Sequence, residues 1–98
     1  MVRQLFKEGE TVSDPKGVKG IVLSRRVLEK LQGKMRLRNR AGAFFSVGCC
    51  PVPDYISKIP VLFEDQGISI MKSTGIRKIE EDGLKERLSY MLSQILEE

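Results

Sequence analysis

Histidine and tryptophan are absent from the 98 residues, and cysteine occurs only as the adjacent pair Cys49-Cys50. Without histidine the chain lacks the usual proton shuttle at neutral pH and the commonest metal ligand. Triads of the Ser-His-Asp or Cys-His kind are excluded. Neighbouring cysteines cannot join distant parts of a fold, so there is no disulfide framework. Nor does a second cysteine pair complete a four-ligand zinc site, and no metal or cofactor is expected. No apolar run approaches the ~20 residues of a membrane span, and the opening MVRQLFKEGE lacks the apolar core of a signal peptide. A cytoplasmic protein without a membrane partner is the expectation.

What is present is a globular composition, 41% apolar and 31% charged. The length suits one domain with a thin core. Net charge is +4, unevenly spread: residues 1–48 hold eleven Lys/Arg against four Asp/Glu, whereas 49–98 hold six against nine. In the densest stretch Arg25, Arg26, Lys30, Lys34, Arg36, Arg38 and Arg40 face only Glu29. Such asymmetry suggests one positive face, suited to phosphates or to an acidic protein.

Nine glycines and four prolines cut the chain into short pieces, which favours strands. Val2–Phe6 reads as a first short strand or a packing arm. Gly9–Ser13 alternates weakly into the turn Asp14-Pro15-Lys16-Gly17, and Ile21-Val22-Leu23 is a short β-branched strand. Val27–Leu31 fits either one helical turn or a continued strand, the strand being slightly favoured. Lys34–Arg40 alternates, with Met35 and Leu37 on one side and Lys34, Arg36, Arg38 and Arg40 on the other. This predicts a half-buried strand that turns at Ala41-Gly42 into Ala43–Val47, a basic hairpin. Pro51 and Pro53 place the following stretch in a loop. Ile59–Phe63 and Ile68–Met71 are strands about the turn Glu64–Gly67, and Ile76–Ile79 is a last short strand or helical turn. Asp82 is a plausible N-cap for a helix whose Leu84, Leu88, Met91, Leu92, Ile95 and Leu96 form one apolar stripe.

Two stretches carry a family pattern. Gly9-Glu-Thr-Val12, Pro15-Lys-Gly17 and Gly20-Ile-Val22 form the first. Val61-Leu-Phe63-Glu64-Asp65-Gln-Gly67 and Ser73-Thr-Gly-Ile76-Arg77-Lys-Ile79 form the second. Together they resemble the SH3-like small-barrel superfamily. The nearest likeness is to the Tudor-like tails of superfamily-one DNA helicases and the polymerase-interacting domain of CarD-type regulators, with KOW domains a looser match. The resemblance spans roughly residues 6–23 and 59–79, and 25–58 are longer than a minimal barrel requires. It implies a mainly β (α+β) fold: a small antiparallel barrel over 1–81 with an inserted hairpin. The helix over 82–98 then packs on the barrel or on a partner. In such barrels the Gly17/Gly20 turn folds the chain sharply back, since glycine accepts positive φ.

The expected function is a non-catalytic accessory module that binds nucleic acid, DNA or RNA. Lys34, Arg36, Arg38 and Arg40 would span about 20 Å along a strand and follow a phosphate backbone, with Arg25 and Arg26 extending the surface. Phe44 or Phe45 is a candidate for base stacking. The rival reading is an adaptor contacting an acidic partner such as a polymerase subunit. Leu84, Leu88, Met91, Leu92 and Ile95 could then grip that partner or make a homodimer. Solvated cations that discourage edge aggregation, and a helix packed on its own barrel, are the plain structural readings of the same residues. For an enzyme using Lys, Asp or Cys no constellation exists. Gly67–Ser73 lacks the glycine a P-loop needs before its lysine.

Overall fold

The computed structural model describes residues 6–38, 40–44 and 53–97. The expectations for residues 1–5, for Phe45 to Val47 and for Cys49-Cys50 lie outside them. The elements are β1 (Thr11–Ser13), β2 (Lys19–Val22), α1 (Arg25–Gln32), β3 (Lys58–Phe63), β4 (Ile68–Lys72), a 3₁₀ turn (Ser73–Gly75), β5 (Arg77–Lys78) and α2 (Leu84–Glu97). The strands form one antiparallel sheet in the order β4-β3-β2-β1-β5, curled into a half-barrel. The small α+β class expected from the strand pattern is therefore present.

Local chemistry sets the turns. Between β1 and β2, Asp14 Oδ1 accepts the amides of Lys16 and Val18 at 2.9 and 2.8 Å, and Gly17 takes φ +87°. Gly20 does a different job from the one expected of it. It lies inside β2, where a Cβ would stand 2.6 Å from Val61 Cγ1, so it permits close packing and does not bend the chain.

Alternation along the strands builds a core on each side of the sheet. Ile21, Leu23, Leu62, Ile68 and Ile70 join Leu28 and Leu31 of α1 and Leu84 and Leu88 of α2. The opposite residues Val12, Val22, Ile59, Val61, Phe63 and Met71 pack with Phe6 and Ile76 on the other side.

One proline stands in a central strand. Register places Pro60 beside Leu23, whose amide donates to the Pro60 carbonyl at 2.9 Å. Proline returns no N–H to the Leu23 carbonyl. The Tyr55 hydroxyl donates to that oxygen instead, at 2.6 Å. Tyr55 reaches it from a left-handed backbone conformation, φ +61°. The surrounding loop is tied by Asp54, whose Oδ1 accepts the amides of Ile56, Ser57 and Lys58.

Two sequence expectations are corrected here. Val27–Leu31 belongs to a helix and not to a continued strand. Ser24 Oγ accepts the Val27 amide at 3.2 Å as the N-cap, and Leu28 and Leu31 are buried one turn apart. Among the described residues the basic hairpin does not form a strand pair: the Ala43 amide donates to the Arg40 carbonyl at 2.8 Å across the Ala41-Gly42 turn, but the arms otherwise bond to β4. Leu37 bridges Ile68 and Ala43 bridges Met71, while the amides of Arg38 and Phe44 donate to the carbonyls of Ile68 and Ile70. The β4 edge, which would otherwise be bare, takes these bonds. Gly42 closes the loop against the 3₁₀ turn, where a Cβ on it would meet Gly75 Cα at 2.9 Å.

Helix α2 starts at Leu84, so Gly83 and not Asp82 occupies the position before its first residue. Among the described residues no helix is long and apolar enough to cross a membrane.

Candidate binding surface

The seven cations between residues 25 and 40 have separate fates. Arg40 turns inward. Its Nη2 bonds Asp65 Oδ2 at 3.0 Å, and its Nε lies 3.4 Å from Asp14 Oδ2. Its guanidinium carbon also sits 3.9 Å from the centroid of the Phe63 ring. The Arg40 side chain is 15% exposed and that of Asp14 1%. The hydrogen bond from Arg40 holds the Asp65 carboxyl below the usual range, with the Gly67 amide adding to it against some burial. Arg40 thus joins the β1–β2 turn, the β3–β4 turn and the loop along β4. It is structural, and the expected outward row of four ends before it.

Lys34 lies at the far end of α2, where its Nζ donates to the carbonyls of Ile95 and Leu96, both at 3.2 Å. A cation there satisfies the open carbonyls of a helix C-terminus. Arg25 donates to the Pro53 carbonyl at 2.8 Å.

Arg26, Lys30, Arg36 and Arg38 remain. All four are exposed and enter none of the ion pairs among the described residues. Val27, Leu28, Leu31, Met35 and Leu37, which alternate with them, pack into the core shared by the helices. The cations therefore project outward from that layer. Arg26 and Lys30 are one helical turn apart, and Arg36 and Arg38 sit two residues apart on extended chain. The period-two reading has the sidedness of residues 35–38 right and their hydrogen bonding wrong. Lys30, left out of the expected site, belongs to this group; its spacing from Arg26 on the Ser24-capped helix is the signal that finds it.

Phe44 is half-buried against the core with Lys58 Nζ 4.8 Å from its ring centroid, and Phe45 lies outside the described residues. Of the expected interface stripe, Leu84 and Leu88 are 0% and 2% exposed and belong to the core. Met91, Leu92 and Ile95 pack against that core only in part. Among the described residues no group of three or more His, Cys, Asp or Glu is placed to hold a metal ion.

On the other side of the sheet a groove runs along β5. One cavity of about 560 Å³ is lined by Phe6, Ile56, Ser57, Ser73, Ile76, Arg77 and Lys78. A second adjoins it through Ile76 and Arg77 and reaches the Asp14–Gly17 turn. The residues of the two cavities come from four separate stretches (Phe6, residues 13–17, Ile56-Ser57 and residues 73–78), so no sequence motif announces the groove.

Compared with protein-family models, with curated proteins and with solved structures, the chain matches none.

Proposed function

We propose that this chain is an SH3-like small barrel acting as a non-catalytic accessory module that binds nucleic acid through its phosphates. The strand order, with β5 returning beside β1 after a 3₁₀ turn, supports the barrel assignment. One observation carries the binding reading: Arg26, Lys30, Arg36 and Arg38 stand exposed and enter none of the ion pairs among the described residues, Arg38 only adding to the field that lowers the Asp65 pKa. Unpaired cations of this kind displace counterions from a phosphate backbone without a desolvated ion pair having to break first. The surface is smaller than the seven-residue run suggests, since Arg40, Lys34 and Arg25 have other work. Among the described residues it includes no exposed ring for stacking, Phe45 lying outside them, and the reading is binding through the phosphate backbone.

Fluorescence anisotropy with labelled single-stranded DNA, duplex DNA and RNA at several salt concentrations tests it. Four phosphate contacts give a log–log slope of about −3 to −4 on duplex DNA. Changing Arg26, Lys30, Arg36 and Arg38 together to glutamine should flatten that slope to near zero while leaving the fold intact. A slope indifferent to those changes rejects this surface.

The adaptor reading keeps one specific support. The last turns of α2 leave Met91, Leu92, Ile95 and Leu96 partly uncovered, and Tyr90 is 68% exposed.

A further inference from the structure

We infer that the groove along β5 is a second docking site, which takes an extended acidic segment of a partner protein bearing an apolar side chain. Its floor is apolar. Phe6 and Ile76 belong to the core on that side of the sheet and are each 7% exposed at its surface, and Ile56, at the lip, is one of two exposed large hydrophobic residues among those described. Ile56 is held there by the rigid loop beneath it, through the three amides on Asp54 and the Tyr55 hydroxyl on Leu23.

Charge complementarity selects the occupant. Arg77 and Lys16 line the groove, are exposed, and enter none of the ion pairs among the described residues. Lys78 extends the rim, held by Glu10 at 3.1 Å and lying 5.4 Å from the Phe6 ring centroid. The one acid in the lining of these two cavities, Asp14, has its side chain buried against Arg40 and the turn amides. An incoming carboxylate therefore meets cations and hydroxyls (Ser57, Ser73, Thr74), with no exposed like charge in the lining. The shape is a trough between a loop and a strand, which suits extended chain better than a helix.

The test is an NMR titration of the full ¹⁵N-labelled chain with a short peptide of Asp and Glu around one central leucine. Shifts should concentrate at Ser57, Ser73, Ile76 and Arg77. Arg77→Glu and Ile56→Ser, both at exposed positions, should each weaken binding about tenfold. Replacing the peptide's leucine by serine should weaken it similarly. Silence up to about 1 mM peptide overturns the assignment. So do shifts confined to Arg26, Lys30, Arg36 and Arg38, which would make the peptide a mimic of polyanion on the opposite face. A single-stranded oligonucleotide shifting the groove residues more strongly than the peptide overturns it as well.

Discussion

Arg40 shows why a cation cannot be assigned from its neighbours in sequence. Its side chain stacks on Phe63 and faces two carboxylates, one of them buried. Removing one member of a buried pair leaves the other desolvated without compensation, which costs about 3 kcal/mol. Arg40→Met should therefore lower the unfolding free energy measured in urea by about that amount. Arg36→Gln, on an exposed side chain without an ion pair, should change stability by less than about 0.5 kcal/mol. Equal effects at the two positions would contradict the assignment. The local pattern carries no trace of this difference, because Asp14 and Asp65 lie 26 residues before and 25 after Arg40. What is legible at this scale is the turn chemistry: Asp14 before Pro15-Lys16-Gly17 and Asp65 before Gly67 bond their own loops, as local rules require.

Among the elements, β3 makes the least expected demand. A proline in a strand with neighbours on both edges normally argues against the strand. Here the Tyr55 hydroxyl fills the gap, and burial pushes that hydroxyl's pKa upward. Tyr55→Phe keeps the ring and removes only the donor, leaving the Leu23 carbonyl unpaired; a loss of about 1–2 kcal/mol should follow. Thermal unfolding measures it, and an unchanged midpoint would remove the hydroxyl from the account. Strands β1 to β4 were readable from β-branched alternation between glycine and proline turns, and α2 from its apolar stripe. Helix α1 was not. It has two turns, Val27 at its start, and Arg25 and Arg26 where a helix favours acids. Ser24 and the Leu28/Leu31 spacing were the available signals. Lys34 to Arg40 alternates like a strand because Met35 and Leu37 face a core, yet among the described residues this stretch and Ala43-Phe44 bond to β4 only singly.

The two proposed surfaces sit on opposite sides of the sheet. Arg26, Lys30, Arg36 and Arg38 project from the layer over Leu28, Leu31 and Leu37, whereas the β5 groove is floored by Phe6 and Ile76 of the other core. Neither ligand need displace the other, and like-charged ligands on opposite faces are mutually screened over about a Debye length, ~8 Å at physiological salt. Saturating the groove with the leucine-containing acidic peptide should thus leave duplex DNA affinity within about twofold at that salt. Anisotropy competition measures this directly. Full displacement of DNA by the peptide would mean one shared site, and the molecule would then be a general polyanion binder and not a bridge between nucleic acid and a protein. The total charge of +4 is compatible with both outcomes. What separates them is the division of the cations by the sheet, which sets Arg26, Lys30, Arg36 and Arg38 on α1 and the β4-edge loop, and Arg77 and Lys16 on β5 and the Asp14 turn.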